Sequence, residues 1–336
     1  MSPFETAVRD GLGTFPAGAL FLAAVSGGAD STALLAALAS LSRGAGAQGP
    51  FALSCLHVEH GIRPAPESRG DADAVRALCA RLGVPCTVTH VKRGLIAERA
   101  RGRRCGLEAA ARDIRLRILR RQARALGAYA IVTGHTRDDL LETILMRVLR
   151  GASPAGLAPM PVRRGLFLRP LLALNRAAVE AYLREQGLSW QTDSSNADLR
   201  FLRNRIRLRL IPLLDEYFPG WRPSVQALAL QQGRVAGFLA GEAERRLHWD
   251  LERENCASPS GIEGSAAPVV SLPWEVFAGA DEALREEALL QGAALLGKGA
   301  HKPISRRALT KAAAALARST PRPCITPKSQ VPSPKH

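Results

Sequence analysis

The chain has 336 residues, with 46 Lys and Arg against 30 Asp and Glu, and a formal net charge of +16. That length allows two domains and a full core, and that surplus of positive charge favours a polyanionic partner, nucleic acid ahead of a membrane surface. Six cysteines without a CxxC pair argue against zinc or iron–sulfur sites. With no signal peptide or membrane-length apolar run visible, a cytoplasmic protein with free thiols is expected.

In chain order, residues 2–18 predict a short helix and a turn. Residues 20–25 predict a buried parallel strand, and residues 32–41 a helix. Between them stands Ser26-Gly27-Gly28-Ala29-Asp30-Ser31. Two adjacent glycines are expected to open backbone conformations closed to other residues. Successive N–H groups then converge on one anion at the positive end of a helix. Ser26 and Ser31 add hydroxyls. Asp30 repels a bare phosphate, which suggests Mg²⁺ between them. The turn holds no lysine, so it is not a Walker loop. A plain serine-capped turn is the alternative.

Residues 51–59 predict a second strand, ending at His57-Val58-Glu59-His60-Gly61-Ile62-Arg63. Residues 68–82 predict a helix, 86–91 a third strand, 106–126 an arginine-rich helix, 129–133 a fourth strand and 137–150 the helix after it. This alternation predicts a doubly wound, mostly parallel α/β sheet, whose ligands sit at the carboxyl ends of the strands. Ser26, His57 and Gly134-His135 all stand at such ends. Further on, 167–172 predicts a strand, 176–187 a helix capped by Asn175, and 198–210 a basic helix ending at Pro212. A domain boundary is expected at 216–221. Helices are expected over 223–251, 281–296 and 305–318, with a Gly/Ser-rich linker near 258–267 and a proline-rich tail over 320–336.

Asp138, Asp139 and Glu142 form an acidic cluster beside His135. Asp139 and Glu142 share a helix face. The cluster is either dipole compensation and capping or a pocket for a cationic substrate or Mg²⁺. Arg112 and Arg115 face one way and suit phosphates, or form a solvated basic face. His57 is either near an adenine or a buried structural residue. The segment Asp193-Ser194-Ser195-Asn196 precedes a dense run of arginines. There Arg203 and Arg207 share one stripe and Arg205 and Arg209 another, suited to RNA phosphates or to interdomain salt bridges.

Taken in order, SGGADS, HVEHGIR, GLEAAARDIR, TGHTRDDLLETILMRVLRGASPAGLAPM, RPLLALNR and DSSNADLRFLRNRIRLRLIPLL make a far more specific pattern than any one of them. The chain resembles the tRNA(Ile)-lysidine synthetase branch of the PP-loop (N-type ATP pyrophosphatase) family. The resemblance is strong over residues 20–220 and weaker to 318. It implies a catalytic domain over 1–216 with the adenine nucleotide α hydrolase-like fold. It also implies a smaller all-α, tRNA-binding domain over 217–318 and a disordered tail over 319–336.

The resemblance further implies ATP at Ser26, Gly27, Gly28, Ala29, Asp30 and Ser31 with His57 nearby, and Mg²⁺ at Asp30. Asp30, His135, Arg112 and Arg115 are the implied catalytic residues. Asp139 and Glu142 would hold lysine, and Arg203, Asn204 and Arg205 lie near substrate and tRNA. The implied reaction adenylates the wobble cytidine of tRNA(Ile) with a CAU anticodon. L-lysine then displaces AMP to give lysidine, with a carboxylate or His135 as the base. A homodimer is compatible with the resemblance. The chain departs from the family pattern at Leu116 and Leu140. The extra C-terminal domain of many members has no expected counterpart here. Relatives that thiolate tRNA through an iron–sulfur cluster need CxxC pairs. Amidotransferase-type relatives need a glutaminase partner or an N-terminal cysteine. An inactive RNA-binding scaffold fits poorly with an intact Asp30, His135, Asp139 and Glu142.

Overall fold

The computed structural model describes residues 1–43, 49–59, 65–103, 105–191, 198–253 and 268–296. Helix α1 (Pro3–Leu12) starts at a capping box between Ser2 and Glu5 and leads into β1 (Leu20–Ala24). Helix α2 (Ala29–Ser42), β2 (Ala52–Glu59), α3 (Ala65–Leu82) and β3 (Cys86–His90) follow. Next come α4 (Leu95–Arg103), which has no counterpart in the sequence expectations, α5 (Leu107–Ala125), β4 (Ala130–Thr133) and α6 (Arg137–Val148).

Helix α7 (Pro154–Leu157), capped by Ser153, leads to the short strands β5 (Arg163–Arg164) and β6 (Phe167–Leu168). The strand expected over 167–172 is therefore corrected. Pro170 cannot donate to a ladder, and Pro170–Ala173 coils as a 3-10 turn. Helix α8 (Arg176–Glu185) takes its expected cap from Asn175.

The basic helix expected to stop at Pro212 is also corrected. Helix α9 (Leu202–Arg205) widens into a π-helical stretch, Ile206–Leu210, and the chain continues as α10 (Ile211–Tyr217). Pro212 has no N–H to donate one turn back, and its ring crowds the carbonyl there. The wider turn lets the helix pass the proline.

The main sheet has the order β3-β2-β1-β4-β6-β5, parallel throughout except for β5. Along β1, Phe21 and Ala23 join the core under α1, α2 and α8, while Leu22 faces a second core built with α5. Both faces are covered, so the central strand β1 is apolar throughout and reads as a continuous run. Helix α2 is buried from Ala29 to Ala39 apart from Asp30, which explains its largely apolar sequence. The chain leaves β1 for β2 on one side and returns to β4 on the other. The carboxyl ends of β1 and β4 therefore flank the point where strand order reverses, the place where such sheets bind ligands.

Residues 1–151 and 159–227 form one compact unit, and residues 152–158 with the chain from 228 onward form another. Helix α11 (Trp221–Arg246) is followed by an antiparallel pair, β7 (Asp250–Arg253) with β8 (Pro268–Ser271), then α12 (Trp274–Ala278) and α13 (Glu282–Leu296). The expectation of an all-α region past residue 217 is corrected by that pair. Within the second unit, Ala243, Leu247, Leu284 and Ala288 pack together, and Trp249 Nε1 donates to the Ala288 carbonyl at 2.7 Å. Residues 60–63, 193–196, 258–267, 305–318 and 320–336, with Cys256 and Cys324, lie outside the described residues. No described helix is long and apolar enough to cross a membrane.

Candidate nucleotide and amine site

The turn after β1 is built around one left-handed glycine. Gly27 has φ +91°, which L side chains rarely adopt. Its carbonyl accepts from Gln191 N at 3.0 Å and from Thr32 Oγ1 at 3.3 Å. Gly28 has φ −73° and is an ordinary extended N-cap, so the expectation of two specially disposed glycines is corrected. Ser31 braces the turn from inside. Its hydroxyl donates to the Gly28 carbonyl at 2.9 Å and accepts from Ser26 N at 3.2 Å. Ser26 is exposed and remains available to a ligand. Helix α2 begins at Ala29, three residues earlier than expected. Ala29, Asp30 and Ser31 thus form its first turn, with no side-chain cap over their amides.

Gly134 ends β4 against this turn. A Cβ there would stand 3.0 Å from the Asp30 carbonyl and from Ser31 N, both backbone. Only glycine lets the end of β4 approach the first turn of α2 so closely. Gly134→Ala is expected to cost about 1–3 kcal/mol and to weaken nucleotide binding, checked by thermal melts with and without ATP.

The other expected residues gather around the turn. His57 is buried, and its Nδ1 donates to the Val25 carbonyl at 2.9 Å. Burial holds its pKa below the ordinary value, so it is neutral and braces the end of β1. Burial pushes the Asp30 carboxyl above the usual range, partly offset by Arg176, whose Nη1 reaches it at 3.1 Å. Arg176 also bonds Glu180, and its backbone N–H donates to Asp138 at 2.7 Å. Asp138 further pairs with Arg222 at 3.1 Å. Asp138 is thus a strut between the starts of α6, α8 and α11.

His135 sits beside Thr133 Oγ1, 2.9 Å from its Nδ1. The hydroxyl also reaches the Leu168 carbonyl at 3.4 Å; when it donates there, Nδ1 carries the proton and Nε2 is an acceptor. Burial first, then nearby arginines, push the His135 pKa down to about 4, against the pull of Asp139. The unfolded chain therefore binds a proton below about pH 6.5 that the folded chain refuses until about pH 4. Stability falls as pH drops through that window. In His135→Gln, at most about 3 kcal/mol of this loss is expected to disappear, measured as melting temperature against pH.

Thr136 and Asp139 form a capping box at the start of α6, so the capping reading of Asp139 holds. Its other oxygen accepts from Arg203 Nη2 at 2.6 Å. Glu142 is 1 % exposed and accepts from Arg203 Nε at 2.7 Å and Arg207 Nε at 2.5 Å. The acidic pair is therefore a cation pocket, and two guanidinium groups fill it. Arg203 lies where the sequence pointed. Arg205 faces solvent, and Arg207 takes the inner position. The shared stripe of Arg203 and Arg207 was the sequence signal for this.

Within electrostatic reach of Asp139, His135 and Arg203 is a group of further arginines. Arg112 and Arg115 have no carboxylate partner among the described residues, and burial together with neighbouring positive charge lowers both pKa values. Arg169, absent from the sequence expectations, adds a buried Nε with no hydrogen-bond partner. An orphaned donor, two unpaired guanidiniums and an uncapped helix start suit a polyphosphate. A half-buried Asp30 beside them suits a divalent cation shared with that polyphosphate.

Fold and site together define a nucleotide-binding α/β protein whose glycine turn and helix start stand near an acidic pair that holds two arginines. The family model described as PP-loop domain matches residues 4–214, and the chain belongs to that family, within it to the tRNA(Ile)-lysidine synthases. It is 38% identical over 273 residues to the tRNA(Ile)-lysidine synthase of Nitratidesulfovibrio vulgaris, covering 80% of this chain and 73% of that protein. It is 33% identical over 277 residues to the Treponema denticola enzyme of that name, covering 82% of this chain and 56% of the relative. With the Thermus thermophilus enzyme it shares 43% identity over 224 residues, covering 67% and 41%. The chain thus spans about half the length of several curated relatives that it matches. The U34-tRNA thiolase NcsA from Methanococcus maripaludis, solved with its 4Fe-4S cluster, superposes with a TM-score of 0.56 at 20% identity, covering 78% of this chain and 84% of that one, a likeness of fold.

Proposed function

We propose that this chain ligates L-lysine to C2 of the wobble cytidine of a tRNA(Ile) with a CAU anticodon, consuming ATP. The cytidine C2 oxygen attacks the α-phosphorus of ATP and pyrophosphate leaves. The lysine ε-amine then attacks C2, AMP leaves, and one proton is lost. The observation that carries this reading is the meeting of opposite demands in one place. Asp139 lies within electrostatic reach of Asp30, His135 and Arg112, and His135 also of Arg112 and Arg203. A phosphate-binding turn and an amine-binding pocket share that space.

In this reading the amides of Gly27–Ser31 and the Ser26 hydroxyl cradle the phosphates, and His57 fixes the turn beside the adenine. Asp30 would hold Mg²⁺, which supplies charge neutralisation to the polyphosphate. Arg112 and Arg115, joined by Arg169, hold the charge that develops on pyrophosphate. Neutral His135 offers Nε2 as a proton acceptor near the reacting phosphate. Lysine shares Asp139 and Glu142 with the resident arginines. Arg207 is 41 % exposed, touches Asp139 only at 3.8 Å and is held by Glu142, so lysine competes with it first at Asp139. We assign tRNA binding to residues 217–318 together with Arg203 and Arg205, with ATP, lysine and this tRNA as the partners in the cytoplasm.

The test is pyrophosphate release from purified protein. Release is expected to need both ATP and the RNA. RNA binding without any ATP cleavage would favour an inactive RNA-binding scaffold instead.

A further inference from the structure

Three cysteines far apart in the chain meet in the fold. The Sγ atoms of Cys55 in β2, Cys79 in α3 and Cys86 in β3 all lie within 4.8 Å of one another. Cys55 and Cys86 are register neighbours on adjacent parallel strands. Cys55 and Cys79 are buried, Cys86 is half-buried, and all three are free thiols. Among the described residues no His, Asp or Glu joins the group. Cys86 opens β3 and Cys55 lies midway along β2, so the trio is set back from the carboxyl ends where the nucleotide turn sits.

We propose that this trio binds one thiophilic monovalent ion of the copper(I) class in trigonal sulfur coordination. Metal–sulfur bonds of about 2.3 Å in a plane hold three sulfurs about 4 Å apart, close to the spacing already present. Hard cations prefer oxygen ligands, and structural zinc sites demand a fourth donor. A cubane cluster needs ligands spread more widely and a chamber for its own atoms. A soft d¹⁰ ion needs neither. Binding releases thiol protons to solvent. Arg76, one turn before Cys79, lies within electrostatic reach of Cys86 and offsets the thiolate charge.

The bound ion ties α3 to β2 and β3. Val75, one turn before Cys79, stands beside Gly27, where a Cβ would meet its Cγ2 at 3.5 Å. The site therefore anchors the helix that forms one wall of the nucleotide turn.

The test uses the full reduced chain, titrated anaerobically with copper(I) against a competing copper(I) chelator. One ion per chain is expected, with three sulfur neighbours by X-ray absorption and a higher melting temperature. Cys86→Ser should keep the metal-free melting temperature and lose at least about 100-fold in affinity. The combined Cys105→Ser, Cys256→Ser, Cys324→Ser variant should bind like the parent. Unchanged copper affinity in Cys86→Ser would overturn the proposal. So would failure of the parent to compete with the chelator, or zinc bound as tightly as copper.

Discussion

Asp30→Ala is expected to lower RNA-dependent pyrophosphate release by at least about 10³-fold while leaving tRNA affinity within about twofold. Asp30 stands in the first turn of α2, paired with Arg176 and within electrostatic reach of Asp139. Burial opposes its charge, so a carboxylate in that position has little structural use. The pair with Arg176 is part-exposed on both sides and contributes about 1 kcal/mol or less. Once freed, Arg176 keeps Glu180 as a partner. The variant should therefore fold, melt near the parent temperature and still bind RNA. Rapid-quench measurement of AMP and pyrophosphate, alongside anisotropy with labelled tRNA, separates the two effects. Persistent AMP formation would remove Asp30 from the chemistry.

Glu142→Gln is expected to damage both fold and lysine use. Glu142 is almost fully buried and neutralises Arg203 and Arg207 together. Gln keeps the shape but loses the charge and turns an N–H₂ group toward guanidiniums. Breaking such a buried network costs about 3 kcal/mol, roughly 6–10 °C in Tm for a unit of this size. The apparent KM for lysine should rise at least about tenfold. Asp139→Asn, at a more open position, should raise the lysine KM with a smaller loss of stability and little change in the KM for ATP. If Glu142→Gln loses stability while the lysine KM stays put, the acidic pair is a clamp for the Arg203 helix and nothing more.

Much of this architecture was legible because the parallel strands are buried on both faces. Leu20–Ala24 and Ala130–Thr133 read as plain apolar runs, and the polar residues at their ends marked the site. What escaped depended on partners remote in the chain. The stripe of Arg203 and Arg207 was visible, but a pattern cannot show that it faces Glu142 rather than RNA. Pro212 read as a helix stop because a π-helical bypass leaves no periodic mark. Arg169 and Arg176 bound the RPLLALNR motif, but nothing in the pattern showed that Arg176 would reach Asp30 or that Arg169 would stand near His135. Gly28 looked as special as Gly27, though only a backbone angle distinguishes them. Cys55, Cys79 and Cys86 carry no local spacing signature, since β2, α3 and β3 bring them together only in three dimensions.

The most direct measurement follows labelled lysine into an isoleucine tRNA transcript with a CAU anticodon, in the presence of ATP. The account predicts one stable label per transcript, lost when the wobble cytidine is replaced by uridine, with one AMP and one pyrophosphate released per label. Label that appears in both transcripts alike, or ATP cleavage that leaves the cytidine unchanged, would contradict it.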